Sequence, residues 1–516
     1  PALVVQSIAG GGGWIGTVSG NATLGIQGSG SGTAGAVEVI SNHDSVTTEG
    51  RNSAGLLVQS IGGGGGYTGL TLGDALTLGA NQQGTTVGGS VEVSNRSSIT
   101  TLGLNSVGLM VQSVGGGGGT SATGKGSTIT LGSSGQGKAN ASAVQVSNSG
   151  VIQTEGEGSA ALIAQSIAGG GGFISEANGT ENYTLTFGAT GNVGGEAGAV
   201  NVSSTARLLS TRSDEAPVVI AQSIAGGGGY ALVNATDRAS TRLGTNGSNS
   251  NSSAGEVTVT NRSDLVSLGD NAIALTVQSI GGGGGVMASA AGSLQLGGAD
   301  LGAAAQGGSI SVTNSGSIET LGQTASALIV QSIGGGGGSA GGSGGTSAQL
   351  GTTTASSPRG VSSGDVQVTS NGALITTRGL GSAGLVVQSI GGGGGRMGSS
   401  TSPTTLGGSN LQLANSGSVD VVNRSTITTL KGGSAALVAQ SLGGGGGIVA
   451  ISEGRSLQMG GSDLSFADAG TVSVTNTADL QSQGRTSPLI TVQSIGGGGG
   501  FTTIANNPTF STAIVL

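Results

Sequence analysis

VQSIGGGGG, Val58 to Gly66, is the stretch on which the reading of this chain turns. Its glutamine recurs at Gln6, Gln59, Gln112, Gln165, Gln222, Gln278, Gln331, Gln388, Gln440 and Gln493, so the motif stands in ten copies. Successive glutamines lie 53, 53, 53, 57, 56, 53, 57, 52 and 53 residues apart. A period held this closely marks a repeat architecture, in which each unit buries its apolar residues by stacking on its neighbours. The repeat runs from end to end of the 516 residues without a break in composition, which predicts a single array over 1–516 rather than separate domains.

The residues between the glutamines say what kind of array this is. From Val91, VEVSNRSSITTLGLNSVG leads into LMVQSVGGGGGTSATGKGST and then ITLGSSGQGKANASA, and VQVSNSG reopens the pattern at Val144. Alternation at period 2 sends Val91 and Val93 to one face and Glu92 to the other, as in a half-buried strand. The segments Ile99-Thr100-Thr101, Ile375-Thr376-Thr377 and Ile427-Thr428-Thr429 carry the β-branched residues that suit a pleated surface. No stretch keeps apolar residues at helical spacing over three turns, and glycine costs about 1 kcal/mol at each helical position. The fold expected is all-β. Apolar-x-apolar triplets open at Val91, Leu109 and Ile129, and with Val144 their starts are 18, 20 and 15 residues apart. Those are turn lengths of a parallel β-helix, so the reading is a β-solenoid of about three coils per 53-residue repeat, with one large coil per repeat as the alternative. On the three-coil reading about 29 coils stacked at ~4.8 Å make a rod on the order of 140 Å long.

Polar residues repeat as strictly as apolar ones. Asn95, Asn148, Asn261, Asn314, Asn423 and Asn476 each follow a strand valine by two residues. With three coils between equivalent positions, neither these asparagines nor the glutamines form continuous ladders. They are expected to be structural caps on buried turn amides. The glycine runs lack the Gly-Lys-Ser/Thr of a phosphate-binding loop and are expected to be scaffold, thin backbone that packs closely, with a polyproline II-like extended form as one possibility. The pieces after each run vary most, and function that differs between repeats is expected there.

Composition excludes several classes. Glycine supplies 112 residues but proline only 6, without a Gly-X-Y period, so this is not collagen. The net charge of −8 is spread thinly and no basic patch offers a nucleic acid a footing. With no cysteine there is neither a disulfide framework nor a thiolate metal site, which fits an exported chain. No apolar run is long enough for a spanning helix, so this segment is not expected to insert in a membrane. The single histidine, His43, reads as an exposed corner residue, and the acid pairs Glu155 with Glu157 and Asp214 with Glu215 read as solvated turn charges. Gly298-Ala299-Asp300 and Gly461-Ser462-Asp463 lack the spacing of calcium-binding repeats. No catalytic residue, metal ligand or cofactor is therefore expected. Trp14, Tyr67, Phe173, Tyr230 and Phe501 follow glycine runs and are expected to seal them, a shallow row for glycan or self-contact being the lesser alternative.

SISVTNSGSIETLGQTASALIVQSIGGGGG, Ser309 to Gly338, resembles the repeats of large bacterial autotransporter-like exoproteins, and the resemblance covers essentially the whole chain. It implies a right-handed parallel β-helix on or released from a Gram-negative surface, serving as an adhesin or biofilm component. The chain opens within a repeat and is expected to be a fragment of a longer polypeptide. The function expected is a non-enzymatic extracellular stalk or fibre that self-associates laterally or end to end, or meets a host or neighbouring-cell surface or a glycan. A polysaccharide-processing enzyme and an ice- or lattice-binding surface are the alternatives.

Overall fold

A computed structural model describes the chain apart from residues 26–29, 72–74, 80–83, 123–127, 133–134, 136, 176–183, 189–190, 192, 233–239, 245–250, 291, 299–303, 353–359, 454–455, 463–465, 505–513 and 516. The described residues form strands and connections with no helix. One turn of the chain contains six strands: β1 Val37–Ser41, β2 Ser45–Thr48, β3 Leu56–Gly62, β4 Gly65–Thr71, β5 Ala75–Leu78 and β6 Thr86–Val87. The next turn opens at Val91–Asn95, which pairs in parallel with β1, Val91 on Val37 and Val93 on Val39. Each of the six positions founds a parallel sheet, of nine strands for β1 and β2, ten for β3, β4 and β5, and eight for β6.

The parallel β-helix is as expected, but the division into three coils is not. Leu56 pairs with Leu109 and Gln59 with Gln112, each one full repeat along, so one repeat is one large turn. The triplets at Val91, Leu109 and Ile129 begin strands of the same turn rather than of successive turns. At ~4.8 Å per layer ten turns rise to roughly 45 Å, about a third of the length the three-coil reading implied.

A turn of this size needs an interior, and the chain supplies one by running through its own middle. All seven residues of β3 are buried, so both of its faces are covered. Leu56 and Val58 join Val91, Val93 and Ile99 in a core between the β3 sheet and the β1 and β2 sheets. Leu57 and Met110, from the opposite face, meet Tyr67, Phe173 and Tyr230 of the β4 sheet in a second core. The β4 sheet in turn covers a third core with its other face, where Ile174 and Met287 pack on Leu76 and Leu78 of the β5 sheet and their equivalents. Away from their end strands, the β3 and β4 sheets are buried on both faces, sandwiched between outer sheets that alternate buried and solvent-facing residues.

Candidate functional site

Because equivalent residues sit directly above one another, every side chain of the QSI-polyglycine motif belongs to a file that runs along the molecule. The glutamines face the β4 sheet and form a continuous ladder. Gln6 Nε2 donates to Gln59 Oε1 (2.7 Å), Gln59 to Gln112 (2.6 Å) and Gln112 to Gln165 (2.7 Å). The chain of bonds continues through Gln222, Gln278, Gln331, Gln388, Gln440 and Gln493 at 2.5–2.7 Å. The expectation of local caps fails here for a simple reason: one turn per repeat brings each amide against its equivalent. All the bonds run in one sense, so their dipoles align and reinforce one another.

The asparagines do both jobs. Asn95 donates to the Asn148 carbonyl oxygen (2.8 Å) and caps the Ser97 carbonyl two residues on (3.0 Å). Asn261 bonds Asn314 (2.8 Å) and Asn423 bonds Asn476 (2.7 Å) in the same way. Serine at Ser41, Ser204 and Ser370 interrupts this file, so the asparagines pair by twos.

The serine and isoleucine of the motif have separate tasks. Ser60 Oγ donates to the Gly35 carbonyl (2.8 Å) and accepts from the Gly89 amide (2.8 Å), stapling β3 to the corners that enter β1 on adjacent turns. Ile224, Ile280, Ile333, Ile390 and Leu442 stack into a core of their own. The glycine run is a corner followed by a strand in the mirror-image backbone region. Gly117 has φ +85, and a Cβ on it would lie 2.4 Å from the Cα of Gly79. Gly118 has φ +133, and its Cβ would lie 1.9 Å from the carbonyl oxygen of Gly171 in the next turn. Scaffold is therefore right, but the polyproline II form is not, since these φ values have the opposite sign.

A file that the sequence reading missed lies at the β2–β3 corner. Asn52, Asn105, Glu215, Asn271, Thr324 and Thr486 all have φ between 51° and 56°, and Gly158 and Gly381 take the same conformation. The signal was there in the run of Asn and Gly at this position, the residues that tolerate the left-handed region. The corner carbonyls receive the next file. Tyr67 donates its hydroxyl to the Asn52 carbonyl (2.8 Å), Tyr230 to that of Glu215 (2.8 Å), and Arg396 Nη2 to that of Thr324 (2.7 Å).

That last file is the one predicted to seal the glycine runs. It reads Trp14, Tyr67, Thr120, Phe173, Tyr230, Val286, Ser339, Arg396, Ile448, Phe501 from turn to turn. Tyr67, Phe173 and Tyr230 are buried and so cannot stack on a glycan, whereas Trp14 is 62% exposed on the first turn and meets Tyr67 edge-on at 6.1 Å. Arg396 is buried to 1% exposure, and burial lowers its guanidinium to about 10, which leaves it charged at neutral pH.

Of the titratable residues singled out in the sequence, Glu157, Asp214 and Glu215 come close to one another, while His43 lies apart. His43 is exposed at the β1–β2 corner. Glu155 pairs with Arg212 at 3.1 Å, Glu157 is exposed, and the Asp214 carboxylate accepts the Asp270 amide (2.8 Å). Glu215 departs from the solvated reading: it is partly buried and accepts the Ser289 hydroxyl (2.7 Å). Burial raises its carboxyl above the usual range, Glu157 and Asp214 add to the rise, and the Ser289 bond opposes it. Asp300 and Asp463 lie outside the described residues, as does much of the variable sequence after the glycine runs. Among the described residues no three potential metal ligands cluster.

Outside, the rows are polar and irregular. The β1 sheet presents Glu38, Glu92, Gln145, Asn201, Thr258 and their successors, with a shallow groove lined by Glu256, Asp365 and Asp420. The second threonine of each Ile-Thr-Thr strand points inward, Thr101 Oγ1 donating to the Ser106 carbonyl (2.5 Å). The edge at the β2–β3 corner exposes Leu102, Leu104, Leu268, Leu321 and Leu380 between ion pairs such as Arg378–Glu319 at 2.8 Å. Comparison of the chain with family models, with curated proteins and with solved structures finds no match to any of them.

Proposed function

We propose that this chain is a non-enzymatic structural and adhesive segment of an extracellular bacterial surface protein, a β-solenoid that projects from the cell and associates with copies of itself. The observation that carries the reading is that every motif residue is consumed inside the solenoid: glutamine in the ladder, serine in the staples, glycine in the close contacts. What repeats from end to end is architecture, whereas the solvent-facing rows repeat a chemical group only over short runs, such as Ser94, Ser147 and Ser203 on the β1 sheet. An enzyme reading has less support. Glu157 and Asp214 lie near the partly buried Glu215, whose carboxylate is held by Ser289, while Glu256, Asp365 and Asp420 line an open groove that lies several turns from His43. A lattice-binding reading finds only short threonine rows: Thr23, Thr77, Thr130 and Thr186 on the β5 sheet, broken at Arg242, and Thr260, Thr313 and Thr369 on the β1 sheet, broken at Val422.

Self-association is favoured by the exposed leucines of the β2–β3 edge. The test is to display the segment on a non-adherent bacterium and to image the purified protein by negative stain. Cell clumping or surface attachment, with rods that pair or extend, is the expected result. Dispersed single particles, no gain in attachment, and turnover of an acidic polysaccharide would overturn the reading.

A further inference from the structure

The β1–β2 corner after Ser370 is longer than the corners on either side of it. Ser370 stands in register with Asn314 and Asn423, and Ile375 with Ile318 and Ile427. Four residues therefore join Ser370 to Ile375, where three join Asn314 to Ile318 and three join Asn423 to Ile427. The longer corner opens with Asn371-Gly372, the only Asn-Gly pair among the described residues; Asn178-Gly179 and Asn246-Gly247 lie outside them. Gly372 is exposed, holds φ +68, and has nothing within 4 Å of where a Cβ would stand. Arg424, on the next turn, donates from Nη1 to Asn371 Oδ1 (2.9 Å), and its carbonyl accepts the Gly372 amide (3.2 Å). No carboxylate pairs with Arg424 among the described residues.

We propose that Asn371 is a self-modification site, where the side-chain amide is converted to an aspartyl or isoaspartyl carboxylate paired with Arg424. The Gly372 amide nitrogen gives up its proton and attacks Asn371 Cγ. The new C–N bond closes a five-membered ring, Nδ2 leaves as ammonia, and water then opens the succinimide at either carbonyl. A side chain on the following residue would crowd that closure, and Gly372 has none. The Gly372 amide must first leave the Arg424 carbonyl, a single bond in a corner that has a residue to spare. Negative charge builds on Asn371 Oδ1 as the ring closes, and there it meets the Arg424 guanidinium, as an oxyanion meets its donor. The product carboxylate turns that contact into an ion pair, so the corner loses one unit of positive charge. Asn95, Asn261 and Asn423 are instead buried in ladder bonds and followed by arginine, and they keep their amides.

Ageing the whole folded chain at neutral pH in heavy-oxygen water, followed by peptide mapping and isoaspartyl-specific methylation, tests this. The peptide holding Asn371 should gain the mass of an amide-to-acid exchange with one heavy oxygen, as a mixture of aspartyl and isoaspartyl forms. The peptides holding Asn95 and Asn261 should stay unchanged. Arg424→Ser supplies the residue that follows the ladder asparagine at Ser149 and Ser315, so the variant should fold. It should slow the reaction about tenfold, one donor at an open corner being worth less than a donor in an enclosed oxyanion hole. An Asn371 amide that lasts as long as the buried ladder amides, or an equal rate in Arg424→Ser, would overturn the proposal.

Discussion

Gln222 sits in the middle of the amide ladder, accepting from Gln165 (2.6 Å) and donating to Gln278 (2.7 Å), fully buried. Replacing it with leucine leaves a donor below and an acceptor above without partners. Each buried orphan costs about 1–3 kcal/mol, so Gln222→Leu should destabilise markedly, while Gln6→Leu at the open first turn, with one bond to lose, should cost less. Denaturant melts of the two variants check the order. Glycine makes a sharper contrast. A Cβ on Gly118 would collide with a carbonyl and adopt a strained φ, so Gly118→Ala should cost on the order of 3 kcal/mol or more. Gly16, where a Cβ meets nothing within 4 Å, should accept alanine with little change, and equal effects at the two positions would refute the close-packing account.

At the scale of elements, the β2–β3 corner is where local conformation and titration meet. Thr486 holds φ 52°, a region that disfavours a β-branched residue, and its side chain bonds only the neighbouring Arg485 carbonyl. Thr486→Asn should therefore raise stability by up to about 1 kcal/mol, measured by the shift in melting midpoint. Glu215 in the same file has a carboxyl pushed up by burial, so the native state holds the proton more tightly than the unfolded chain does. The stability this group contributes is fully present below the unfolded value and is lost as pH rises through the raised native value. Melts from pH 4 to 8 should show that loss in the wild type and not in Glu215→Gln, so the variant's relative stability grows with pH. The strands themselves were legible from alternation in Val91-Glu92-Val93 and from the β-branched Ile-Thr-Thr segments. The number of coils was not, because spacings of 15 to 20 residues suit either successive turns or successive strands of one turn. A clue stood in Leu109-Met110-Val111, three apolar residues in a row where a one-walled coil would alternate. Once that strand is given two covered faces, the chain must return outside it, and the turn grows to the whole repeat. Arg396 was not legible as an interior residue, since only the register with Tyr67 and Tyr230 places it in their file.

For the whole molecule, one turn per repeat changes the shape from a long thin rod to a shorter, thicker one with two buried sheets at its centre. Stability then rests on nearest-neighbour stacking of one turn on the next. Length along the axis comes from adding repeats, each contributing one strand spacing. The axial rise per repeat is therefore the measurement that bears most directly on this account. Electron microscopy of arrays with five, ten and fifteen repeats should give particles that lengthen by ~4.8 Å per repeat, with ten repeats spanning roughly 45 Å. A rise of about 14 Å per repeat, three strand spacings, would contradict it.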